Sequence, residues 1–246
     1  MAEPVTTNNA PGQRPTPDPM TWLGRHELAT LLLVVAVAAG VWFFAELADE
    51  VRDGDALPFD QAVLLAMRNP QDLSDSVGPR WVEEIGRDLT ALGGVALLTF
   101  LTLAAAGYLL LERKRHAAVF LLVAVTGGVL LSLALKGSFA RPRPDLVPHG
   151  SYVFTTSFPS GHSMMSAITY LTLGALLART HPRPRIKAYV LVLAVLMTFA
   201  VGVSRVYLGV HWPTDVLAGW AAGATWALLC WLAARWLQRR GRVEAA

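Results

Sequence analysis

Six long apolar runs separated by polar segments dominate the chain: Leu28–Ala45, Leu89–Leu111, Ala117–Leu135, Ser163–Leu177, Ala188–Val203 and Val216–Trp236. None carries a charge in its interior except Arg235, near the end of the last. Crossing a bilayer takes about 20 apolar residues, and within hydrocarbon the backbone must satisfy its own polar groups, as a helix does. The runs therefore predict an all-α, polytopic membrane bundle of six transmembrane helices, the short fourth and fifth runs extending into their polar flanks. Only 16% of the 246 residues are charged and 54% are hydrophobic, which suits a membrane chain better than a soluble domain. The net charge of +3 comes without a basic face or a nucleic-acid motif, so nucleic acid is not an expected partner. The single cysteine, Cys230, lies inside the last run, which leaves no intrachain disulfide and no cysteine-based metal site.

Residues 1–22, rich in Pro, Thr and Asn, read as a disordered cytoplasmic tail, and residues 23–240 as one six-span domain. Six spans put both termini on one face. That face collects 13 of the 21 Lys and Arg residues, in groups such as Arg113-Lys114-Arg115 and Arg179–Lys187, against 8 on the other. Both termini are thus expected in the cytoplasm, with the protein in the cytoplasmic membrane. Trp22 and Trp236 fit the inner aromatic belt, and Trp81 and Trp212 the outer one. The outer connection over residues 46–88 holds eleven acidic residues. Within it Phe59, Val63, Ala66 and Met67 recur at helical spacing while Asp60, Gln61 and Arg68 supply polarity. A short helix over Phe59–Arg68, lying at the outer interface, is expected.

Three polar clusters stand where apolar runs end. The third run ends at Lys136, followed seven residues later by Arg143-Pro144. Interfacial charges are costly unless solvated, paired or bound to a ligand. The prolines of Arg141-Pro142-Arg143-Pro144 stiffen the loop. These cations either mark the end of a span or serve a site; Arg141 reads as a surface charge. The fourth run opens at Pro159-Ser160-Gly161-His162. Ser160 is a good N-cap, the free N–H groups of the first turn suit an anion, and Gly161 lets a phosphate come close. His162 would then stand beside that anion as a proton donor. An ordinary capped helix with an interfacial histidine is the alternative. The fifth run ends at Ser204-Arg205, and the sixth opens after His211-Trp212-Pro213-Thr214-Asp215. The Asp215 carboxylate can accept from the ring of His211, fix its tautomer and leave the other nitrogen as a nucleophile. Otherwise Asp215 is simply a favourable acid at a helix start. The span count puts all three clusters at the outer face.

With these residues in this order, the chain resembles the type-2 phosphatidic acid phosphatase superfamily, membrane lipid phosphatases related to vanadium haloperoxidases. Their signature is Lys-(six)-Arg-Pro, Pro-Ser-Gly-His and Ser-Arg-(five)-His-(three)-Asp. Lys136…Arg143-Pro144, Pro159–His162 and Ser204-Arg205…His211…Asp215 meet it at all eleven positions, within residues 88–220. The resemblance implies a helical core of the acid-phosphatase/vanadium-haloperoxidase kind. It also implies that His211 attacks phosphorus to give a phosphohistidine, oriented by Asp215, and that His162 protonates the leaving oxygen and then activates water. Lys136, Arg143 and Arg205 would neutralise the phosphoryl oxygens, with Ser160 and the Gly161 N–H adding hydrogen bonds. No metal or other cofactor is implied, because three cations stand in for one and the only motif acid, Asp215, is engaged.

The expected function is an integral-membrane phosphatase acting at the outer face on a phospholipid or a polyprenyl phosphate or diphosphate. Phosphatidate, phosphatidylglycerophosphate and the undecaprenyl carrier are the candidate substrates, with a lean toward the polyprenyl diphosphate. A phosphotransferase that passes the phosphoryl group to an alcohol shares these motifs. A non-catalytic anion channel or lipid carrier is the reading from another class, and no internal repeat supports an inverted-repeat transporter.

Overall fold

The computed structural model of the chain describes residues 19–150 and 155–239. Most of the expected N-terminal tail (residues 1–18) lies outside the described residues, and helix has begun by Pro19. Among the described residues, eight helices and one small hairpin follow in order: α1 Pro19–Asp53, α2 Leu57–Ala66, β1 Arg68–Asn69, β2 Asp72–Ser76, α3 Arg80–Ala91, α4 Val95–Leu111, α5 Arg115–Ser138, α6 Gly161–Thr180, α7 Pro184–Tyr207 and α8 Pro213–Arg239.

Among the described residues, four stretches are long and apolar enough to cross a membrane: Glu27–Asp53, Arg115–Ser138, Pro184–Tyr207 and Pro213–Gln238. The second apolar run, expected as one span over Leu89–Leu111, begins in the last turn of α3 and continues as α4, and these two helices form a broken pair bent by 48°. Gly93-Gly94 sits at the break, where two glycines offer the least resistance to a bend. Counting that pair as one span makes five. α6 covers the fourth expected run but falls short of the hydropathy of the others, because it buries Ser163, Ser166, Thr169 and Thr172. It can carry them because it is enclosed by α4, α5, α7 and α8, while the outer helices turn Leu31, Trp42, Phe100, Leu130, Leu196 and Phe199 outward. This is the inside-out polarity of a bundle solvated by lipid.

The α6–α8 crossing positions the site. Gly219 on α8 faces the start of α6, where a Cβ would stand 2.7 Å from the Ser160 carbonyl oxygen. Only the absence of a side chain lets the two backbones come this close. Beside it, Phe139 and Phe158 pack with Ala218 and with Leu47 of α1.

The outer connection corrects two expectations. Its helix is Leu57–Ala66, and two of the residues that supply polarity to the expected interfacial helix are inside: Asp60 is 0% exposed and Arg68 3%. Phe59, at 52% exposure, is outside with Leu57 and Leu65. Leu64 packs on Val206, Trp212 and Val216, which presses α2 against α8 and turns Asp60 inward with it. Trp212, expected in the outer belt, is 5% exposed in that cluster and donates to the Pro142 carbonyl at 3.1 Å. Trp81 is exposed, in keeping with a belt position.

Candidate active site

α5 ends beside Lys136, α6 begins at Gly161-His162, and α7 ends just after Arg205, so alternating helix directions bring the three clusters to one end of the bundle. Gly209, at φ +69°, takes the left-handed turn that stops α7 and leads the chain back through His211 into α8. Lys136, Arg143, Gly161, His162, Arg205 and His211 together line a cleft of about 490 Å³.

His211 is at its floor, almost fully buried. Its Nδ1 lies 3.3 Å from Asp215 Oδ2, and its Nε2 lies 3.2 Å from Arg143 Nη1. Asp215 Oδ2 also accepts from the Trp212 backbone N–H at 2.9 Å and from the Ser157 hydroxyl. An acceptor held in this way selects the tautomer with the proton on Nδ1 and leaves the Nε2 lone pair toward the cleft. Burial pushes the His211 imidazole down from 6.5 to about 4; the hydrogen bond and charge of Asp215 oppose this, and Arg143 and Arg205 add to it. The ring is therefore neutral at physiological pH.

Arg143 is fixed by the Thr155 carbonyl at 2.8 Å from Nε and the Val210 carbonyl at 2.5 Å from Nη1, and burial lowers its affinity for its proton. Lys136 Nζ donates to Thr155 Oγ1 and to the Thr156 carbonyl, each at 3.1 Å. Arg205 is 2% exposed; its Nη1 donates to Thr90 Oγ1 at 2.8 Å, and its buried Nε has no hydrogen-bond partner. A buried guanidinium with donors to spare beside a cleft is suited to an anion.

Ser160 is where the N-cap reading put it. Its Oγ accepts from the Ser163 N–H at 3.4 Å and from the Ser163 hydroxyl at 2.9 Å. It is fully buried and outside the cleft lining, so it shapes the start of α6, whereas Gly161 and His162 face the cleft.

Arg141 is not a surface charge. Its side chain is 10% exposed and pairs with Asp60 at 2.5 Å and Asp215 at 2.6 Å. Asp60, Arg141, Ser157 and Thr90 are the site's neighbours that the sequence reading missed. Ser157 stands two residues before Pro159 of the signature, and Arg141 two before Arg143, so motif proximity marked both; nothing local marked Asp60 or Thr90.

Away from its polar end the cleft runs between α4, α5 and α6, along Leu98, Val125, Val129, Leu133 and Met165. Val95 and Leu133 on its walls are strongly exposed, so this apolar limb opens on the lateral surface of the bundle.

The family model of the PAP2 superfamily matches residues 117–239. The chain is 36% identical over 146 residues to phosphatidylglycerophosphatase B of Bacillus subtilis, a match covering 58% of this chain and 70% of that one. It is 31% identical over 121 residues to an undecaprenyl-diphosphatase of Sulfolobus acidocaldarius, covering 47% and 54%. Its fold is similar to the crystal structure of a transmembrane PAP2-type phosphatidylglycerolphosphate phosphatase from Bacillus subtilis, with a TM-score of 0.73 and 29% identity over 82% of this chain and 98% of that one. Helices that span a membrane, a cation-lined cleft around a buried His–Asp pair and these matches lead to one assignment: the chain belongs to the PAP2 superfamily and is a multi-pass membrane phosphatase.

Proposed function

We propose that the protein is a lipid phosphatase that removes phosphate from a phosphomonoester or diphosphate at the outer face of the cytoplasmic membrane, through a phosphohistidine on His211. The observation that carries this is the orientation of one ring: Nδ1 toward Asp215, and Nε2 toward Arg143 in a cleft also lined by Lys136, His162 and Arg205. Three cations lining the cleft into which that imidazole nitrogen faces fit a phosphoryl group whose charge spreads over its oxygens in the transition state. Nε2 attacks phosphorus as the bond to the leaving oxygen breaks, and His162 supplies that oxygen's proton. In the second half His162 takes a proton from water, the oxygen attacks phosphorus, and the Nε2–P bond breaks to release phosphate.

Among the described residues no three His, Cys, Asp or Glu side chains gather as metal ligands; the electrostatic work falls to the cations, and full activity in EDTA is expected. The apolar limb of the cleft suits the chain of a lipid. A polyprenyl diphosphate, phosphatidate and phosphatidylglycerophosphate each join such a chain to a phosphate. The names of the similar proteins lend support to the last and to the diphosphate. In this reading the chain crosses the membrane six times, with α3–α4 as a broken span, α6 as the enclosed sixth, and both termini cytoplasmic, in keeping with the distribution of Lys and Arg.

The test is phosphate release from these three lipids by purified protein in detergent with EDTA, against His211→Ala and His162→Ala. A loss of about a thousandfold or more is expected for His211→Ala; release at the wild-type rate would overturn the assignment.

A further inference from the structure

Asp60 and Asp215 share one guanidinium. Arg141 Nη2 donates to Asp60 Oδ2 at 2.5 Å and its Nη1 to Asp215 Oδ1 at 2.6 Å, with both carboxylates fully buried. Thr214 closes the cluster. Its backbone N–H donates to Asp60 Oδ1 at 2.9 Å and its hydroxyl to Asp60 Oδ2 at 2.6 Å, while the hydroxyl oxygen accepts from Arg141 Nη1 at 2.8 Å. Asp60 thereby caps the start of α8 from a helix more than 150 positions away, a place where a local cap is usual. Neither Asp60 nor Arg141 lines the cleft, so neither is placed to touch substrate.

The charges decide what this cluster does. Arg141 and Asp215 alone make a neutral pair, and a neutral pair gives little support to the His211 ring as it turns cationic on bonding to phosphorus. Adding Asp60 on the far side of the guanidinium leaves the trio with one net negative charge. The edge of that charge nearest the nucleophile is Asp215 Oδ2, 3.3 Å from His211 Nδ1. In a buried, weakly screened site such a difference weighs heavily. We infer that Asp60 is a positioning residue for the reaction: it neutralises Arg141, so that Arg141 orients Asp215 without cancelling its charge toward His211. The inference rests on His211 being the nucleophile, and it puts a determinant of that residue's reactivity on α2, in the outer connection.

Charge rescue tests it. Asp60→Asn keeps the shape and leaves Arg141 free to neutralise Asp215; kcat for lipid phosphate release should fall roughly 10- to 100-fold, as for other residues that orient a catalytic group, with KM little changed. Adding Arg141→Gln removes the surplus cation and restores Asp215 as an anion. The double variant should therefore be faster than Asp60→Asn, by about tenfold. Rates are taken on the monodisperse fraction, so that lost fold is not counted as lost rate. A purely structural role predicts a double variant no better than the single, and that result, or a wild-type kcat in Asp60→Asn, would overturn the inference. His211→Ala runs alongside: if it retains activity the phosphohistidine reading fails, whereas an inactive His211→Ala with an unaffected Asp60→Asn removes only the role of Asp60.

Discussion

Arg143 Nη1 lies 3.2 Å from His211 Nε2, the ring nitrogen turned away from Asp215. A guanidinium has no lone pair to offer, so a proton on Nε2 would face a donor and a positive charge. The contact thus keeps that nitrogen bare and marks where a phosphoryl oxygen would find its cation.

Arg143→Ala is expected to lower kcat/KM by about two to three orders of magnitude. Arg143→Lys should recover only part of this, because one ammonium cannot hold the Thr155 and Val210 carbonyls and still reach the anion. Steady-state phosphate release measures both, and a fully active lysine variant would show that a diffuse charge is enough.

His162→Ala should respond to the leaving group. If His162 supplies the proton, its loss costs far more with a lipid alcohol than with an aryl phosphate, whose leaving oxygen needs no acid. With the aryl substrate the phosphorylated enzyme should then accumulate, since the water step still lacks its base. Radiolabelled phosphate stable to base and labile to acid would report it; equal losses of kcat/KM with both substrates, a quantity that ends at phosphoenzyme formation and is blind to the water step, would remove His162 from the acid role.

The pH dependence follows from the burial of His211, whose imidazole is held at about 4 against the ordinary 6.5. The folded state resists a proton that the unfolded chain takes up near 6.5. This stability is fully present above 6.5 and lost as pH falls toward 4. Thermal unfolding in detergent should therefore show a midpoint that drops from about pH 7 to about pH 4.5, with a shallower drop in His211→Gln. Matching slopes in the two proteins would assign the acid lability elsewhere.

The apolar limb of the cleft should discriminate by chain length. Val129→Trp fills the space between α4 and α5 without approaching the polar end. KM for a long-chain lipid phosphate should rise by about tenfold, a loss of roughly 1.4 kcal/mol of binding, while a short-chain or aryl phosphate is unaffected. An equal effect on both substrates would mean that the tail does not lie there.

The membrane class, four of the spans and the eleven signature positions were legible because each depends on residues close together in the chain. An apolar run declares itself over some 20 residues, and the capping role of Ser160 and the His211–Asp215 contact each lie within one helical turn. Packing decided the rest. The bend between α3 and α4 comes where the charged, amphipathic α3 gives way to the wholly apolar α4, and the apolar run alone did not show that a second helix leads into it at an angle. Asp60 had the spacing of a solvent-facing residue until Leu64 seated α2 on α8 and turned it inward. Arg141 looked like a surface cation because the carboxylates that neutralise it stand 81 and 74 positions away. By itself the sequence determined the apolar runs that become helices and the order of the signature residues along the chain. Only the tertiary structure decided which charges meet, since a buried ion pair forms wherever two helices happen to close on it, at no set spacing along the chain.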